Sequence, residues 1–139
     1  MTKDQEQRVT GGFSANGAFG PTIFIRLTSQ SSASWLSEVF LNRVASKGGL
    51  DLAVQDSVYL EGLEQLELHR AEQALPKNLS RPDSKAARFV WSCTDDGWRR
   101  NAGLLEPFIQ GRTGHQYLTS EVTDDALLEI SFGEEDSTT

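Results

Sequence analysis

The amino-acid sequence predicts a single α+β domain: a four- to five-stranded, mainly antiparallel sheet with two helices packed on one face. Three observations carry this expectation. The chain has 139 residues, the size of one domain. Two segments space their apolar residues three and four apart, as helices do, while several others alternate them, as strands do. The elements run strand, helix, strand-rich middle, strand, helix, strand. That order suits helices gathered on one side of a sheet, and a ferredoxin-like split βαβ topology is the first expectation.

Taken in order, residues 1–20 read as a flexible N-terminal arm. GGFSANGAFGP holds four glycines and a proline without a sustained period. A dinucleotide loop follows a strand and opens a helix, whereas these glycines precede a strand, so that use is not expected. Residues 21–133 form the domain, and 134–139 form an acidic, disordered tail. In TIFIRLT, Ile23, Ile25 and Leu27 alternate onto one face and Phe24 and Arg26 onto the other, a strand. The hydroxyl-rich stretch that follows supplies N-caps for a helix over 33–47. Trp35, Leu36, Val39, Phe40 and Val44 make its apolar stripe, Lys47 suits its C-terminal dipole, and Gly48-Gly49 ends it.

Residues 50–54 and 57–63 alternate like strands. Residues 64–70 have helix-forming types but period two, and a strand is preferred there. Pro76 and Pro82 make 74–86 a loop. ARFVWSC is a strand with Phe89 and Trp91 on one face. A second helix follows, capped by Thr94 or Asp95, with Trp98, Leu105, Phe108 and Ile109 as its core stripe. Pro107 bends or restarts it, and Gly111 closes it. HQYLT and ALLEISF are the last two strands.

Charge is unevenly placed. The net charge is −7, and its whole excess lies in the last nineteen residues: Glu121, Asp124, Asp125, Glu129, Glu134, Glu135 and Asp136, with no base among them. Such a block repels nucleic-acid phosphate and anionic lipid and attracts a basic protein. Residues 70–88 carry Arg70, Lys77, Arg81, Lys85 and Arg88, but no interleaved aromatics, a poor nucleic-acid signature. No apolar run approaches the ~20 residues of a membrane span, and the polar N-terminus lacks a signal core. With one cysteine, the reducing cytoplasm is the expected location.

WSCTDDGWRR, residues 91–100, is the densest chemistry. Cys93 and Arg99 enter a helix after a strand, an arrangement that superficially resembles the phosphate loop of cysteine-dependent phosphatases. Asp95 and Asp96 would set two negative charges inside that anion cradle, and Arg100 stands where that family places a hydroxyl. A Cys–His pair would need His69 or His115 beside Cys93, and the histidines, the cysteine and the paired aspartates show no metal-ligand spacing. No catalytic residue, metal or cofactor is therefore expected. A buried Cys93 and helix-capping aspartates explain the stretch more simply.

The leading expectation is a non-catalytic protein-binding module. Its partner is a basic protein, and its contact residues are Trp98, Arg99, Arg100, His115, Tyr117, Glu121, Asp124, Asp125 and Glu129. Trp, Tyr and Arg are the residue types most enriched in interface hot spots. A bacterial immunity or antitoxin role, occluding a basic toxin, fits a small acidic domain. The alternative is a small-molecule-binding or enzymatic domain with its site around Cys93, His69 and His115. A homodimer through an exposed strand edge is a third possibility.

Overall fold

The computed structural model describes residues 9–17, 20–44, 49–120 and 123–133. In chain order the elements are β1 (Val9–Gly17), β2 (Gly20–Leu27), α1 (Gln30–Glu38) continuing into a π-helical turn (Val39–Arg43), β3 (Leu50–Asp51), a 3-10 turn (Leu52–Val54), β4 (Val58–Glu61) and β5 (Gln65–Arg70). They continue with β6 (Leu79–Ser80), β7 (Arg88–Cys93), α2 (Asp95–Leu104), α3 (Glu106–Ile109), β8 (Gly114–Tyr117) and β9 (Leu127–Phe132). The fold is α+β with two mixed sheets, one ordered β4-β1-β2-β9-β8 and the other β3-β5-β7-β6.

Two expectations are corrected here. The single, mainly antiparallel sheet is replaced by two sheets, each with parallel and antiparallel pairs. β1–β4, β2–β9 and β5–β7 run parallel. The strand order therefore differs from a ferredoxin-like sheet. Period-two alternation identifies a strand but not its neighbour, and β2 finds β9 across the ninety-nine residues between Leu27 and Leu127.

The flexible arm is the second correction. Residues 9–17 are β1, a nine-residue strand lying between β2 and β4. Its glycines are what let it fit there. A Cβ on Gly11, whose φ is +147°, would overlap the Phe24 carbonyl oxygen. One on Gly12 would come within 2.6 Å of the Glu61 carbonyl oxygen. Loop-like composition here marks close backbone approach. Residues 1–8 of the expected arm and the whole expected tail, 134–139, lie outside the described residues.

The helices begin where short polar side chains satisfy free amides. Ser29 Oγ accepts the Ser32 N–H at 3.1 Å, so α1 starts at Gln30, earlier than expected. Thr94 Oγ1 accepts the Gly97 N–H at 3.1 Å, with Asp95 and Asp96 in the first turn of α2. Pro107 restarts the chain as α3. Gln30 Nε2 donates to the Ile109 carbonyl at 2.9 Å and ties α1 to α3.

Both sheets feed one hydrophobic core. Ile23, Ile25, Leu128 and Ile130 face it from the five-stranded sheet, and Leu66, Leu68, Phe89 and Trp91 from the four-stranded one, all fully buried. Phe40 packs against both Trp91 and Trp98, with ring centroids 5.3 and 5.2 Å away, and the two indoles meet at 4.9 Å. Burying each such side chain stabilises the fold by about 1.5–3 kcal/mol. The expected strand at 64–70 appears as β5, and Phe89 and Trp91 share the buried face of β7 as expected.

Candidate functional site

With Ile23, Ile25 and Leu27 turned into the core, alternation turns Phe24 and Arg26 outward on β2. Strand register carries that outward face across the whole five-stranded sheet. One row runs His115, Ser131, Arg26, Thr10, Tyr59, and the next runs Tyr117, Glu129, Phe24, Gly12, Glu61. Arg26, His115 and Glu61 are exposed, and Tyr59 and Tyr117 keep 51% and 47% of their surface. The His115 and Tyr117 rings meet edge to face at 5.4 Å. Aromatic, cationic and anionic groups thus share one open surface.

Of the expected contact residues, this face brings together His115, Tyr117 and Glu129. Trp98 is a correction. It is 3% exposed, and its indole N–H donates to the His69 carbonyl at 2.9 Å, so it belongs to the core. Arg99 and Arg100 are exposed on α2 rather than on a strand of that face, and Arg99 Nη2 lies 2.6 Å from Asp96 Oδ1. That pairing leaves no arginine clamp of the phosphatase kind over Cys93. Glu121 lies outside the described residues.

Asp124 and Asp125 face inward to the chain itself. Asp124 Oδ1 accepts the N–H groups of Asn78 and Leu79 at 2.6 and 3.0 Å, and its Oδ2 accepts that of Ser120 at 2.8 Å. Asp125 pairs with Lys77 at 2.7 Å and accepts the Arg81 N–H at 2.7 Å. The Lys77 bond, then the Arg81 amide, holds the Asp125 carboxyl below its ordinary range. Together the two carboxylates pin β6, in one sheet, to the loop before β9, in the other.

The basic stretch 70–88 is similarly committed. Arg70 pairs with Asp95 and Arg88 with Glu64. Arg81 lies 5.0 Å from the Phe13 ring centroid and 5.4 Å from that of Phe89. Sequence reasoning missed Tyr59, Arg26, Phe24 and Glu61 as site residues. A signal was present for two of them, because the alternation of β2 already sets Phe24 and Arg26 apart from the core.

A cleft of about 400 Å³ opens between α2 and the segments 74–78, 117–120 and 123–124. Cys93 lies at its floor, 6% exposed. Gly97 permits the first turn of α2 to close over it, since a Cβ there would come within 3.0 Å of Cys93 Cβ. Burial pushes the thiol up to about 11, against the opposing hydrogen bond from Asn101. The thiol is therefore protonated at neutral pH and a poor nucleophile.

The structure does not assemble the Cys–His alternative. Cys93 shares the core face of β7 with Phe89 and Trp91, whereas His69 is in register with Ser92 and faces the other way. Its Nε2 lies 2.9 Å from Glu67 Oε1. His115 stands on the outer face of the other sheet. Among the described residues no three His, Cys, Asp or Glu side chains are grouped to hold a metal, and no helix is long and apolar enough to cross a membrane. Compared with protein-family models, curated proteins and solved structures, the chain matches none of them.

Proposed function

We propose that this chain is a non-catalytic protein-binding module that meets a basic partner protein across the open face of its five-stranded sheet. The observation that carries this reading is the paired row of outward-facing side chains: exposed Tyr59, Arg26 and His115 beside exposed Tyr117 and half-buried Glu129 and Phe24. Tyrosine and arginine are enriched in interface hot spots: tyrosine brings large area with few soft torsions, and arginine brings a planar fork of directional donors. A regular sheet holds them rigidly, which lowers the entropy lost on association. The net charge of −7 steers a basic partner toward the chain over distances comparable to the screening length. Occlusion of a basic toxin in the cytoplasm, as by a bacterial immunity or antitoxin protein, is the specific role this proposal favours. The protonated thiol supports binding over thiol chemistry.

The test is a quantitative pull-down from nuclease-treated native lysate with the wild type and the Tyr59→Ala/His115→Ala variant. Both positions are exposed, so the variant folds. The partner retained by the wild type should fall at least roughly tenfold with the variant, as expected for hot-spot truncation. Equal retention, or a nucleic acid in place of a protein, overturns the proposal.

A further inference from the structure

The cleft beside α2 meets the sheet face at Tyr117, and its polar groups are incompletely matched. Asn101 is 6% exposed. Its Nδ2 reaches Cys93 Sγ at 3.6 Å, a weak bond to a soft acceptor. Its Oδ1 accepts no hydrogen bond among the described residues and is not sealed from solvent. An amide oxygen of a largely buried side chain, open to the cleft and with no donor from the described residues, is suited to a donor brought by a ligand. Arg100 lines the same cleft and makes no ion pair among the described residues. A guanidinium of this kind takes a carboxylate through two parallel N–H bonds.

The rest of the lining agrees with a small anion that has a short apolar part. Asp124 also borders the cleft, but three backbone amides already hold its carboxylate. The thiol at the floor carries no charge at neutral pH. Leu104 and Leu118 supply apolar wall. The volume, about 400 Å³, falls within the range of small-molecule sites.

We propose that this cleft binds a small carboxylate bearing a hydrogen-bond donor on the adjacent carbon, a hydroxy acid or an amino acid. Its carboxylate would meet Arg100 and its donor Asn101 Oδ1. The proposal does not rest on the sheet-face reading: Tyr117 borders both, but Arg100 and Asn101, which meet the ligand, stand on α2.

The experiment is an NMR titration of the full chain, following the Asn101 side-chain amide and Arg100 Nε, with L-lactate, L-alanine, acetate and inorganic phosphate as separate probes. Lactate or alanine should give saturable shifts at both groups, acetate should bind at least about tenfold more weakly for lack of the donor, and Arg100→Gln should remove saturation. Arg100 is exposed, so that variant keeps the fold, which its backbone spectrum verifies. Equal binding of acetate or phosphate, unchanged binding by Arg100→Gln, or no shift at either group with any probe overturns the proposal.

Discussion

Asp124 Oδ1 accepts the backbone N–H of Asn78 at 2.6 Å, joining positions 46 apart in the chain. The same oxygen holds the Leu79 N–H. One carboxylate thereby ends the backbone demands of β6 and fastens the four-stranded sheet to the five-stranded one. An acid that reads in sequence as part of a charged surface is a tie within the fold.

Asp124→Ala leaves three amide donors without this acceptor. Charge-assisted bonds of this kind contribute about 1.5–3 kcal/mol each, but they share one carboxylate and do not add fully. A loss of about 3 kcal/mol is expected in urea unfolding. Glu129→Ala, on the open face, should change stability by less than about 0.5 kcal/mol.

Asp125 makes the fold sensitive to acid. Its folded pKa lies below the ordinary carboxylate value, so the unfolded chain binds the proton first as pH falls. The stabilisation is complete above about pH 5 and is lost as pH drops through about 4 and on toward the folded pKa. Asp125→Asn should be less stable at neutral pH and should show a shallower loss of stability between about pH 5 and 3. Unfolding midpoints measured across that range check both.

The two tryptophans of the core should respond differently to truncation. Trp98 donates its indole N–H to the His69 carbonyl, whereas Trp91 Nε1 is buried and finds no hydrogen-bond partner among the described residues. Trp98→Phe loses a buried hydrogen bond as well as leaving a void. Trp91→Phe leaves the void and removes an unsatisfied donor. Trp98→Phe is therefore expected to cost more, by about 1–2 kcal/mol, as calorimetry or urea unfolding will show.

Cys93 should be nearly silent toward thiol reagents in the folded protein. With its pKa at about 11 rather than the ordinary 9.0, the thiolate fraction at pH 8 is lower by about a hundredfold, and burial slows access further. Labelling should follow unfolding in urea. The raised pKa also carries a stability term present below about pH 9 and lost as pH rises toward 11. Rapid labelling of the native protein at pH 6 would contradict the thiol's placement.

Local features of this fold were legible in the sequence, because they depend on neighbours in the chain. Ser29 and Thr94 cap helices through amides three residues away, and alternation places Ile23, Ile25, Phe89 and Trp91 inside. β1 was hidden because Gly11 and Gly12 carry no side-chain pattern, although their smallness is what admits the strand. The pairing of β2 with β9, and the ties from Asp124 and Asp125 to residues 77–81, depend on contacts over 40 positions apart, which no local spacing encodes. The candidate face was half visible. Phe24 and Arg26 stood opposite the core residues of their strand, but only the register sets them beside Tyr59, His115 and Tyr117.

In-cell photo-crosslinking from the sheet face tests the central claim most directly. A photoreactive amino acid is installed in place of Tyr59, and in a second strain in place of Asp96, whose side chain is 91% exposed on α2. The account expects a discrete protein adduct from position 59, with a basic protein as its second component, and none from position 96. The same adduct from both positions, or none from position 59, would contradict it.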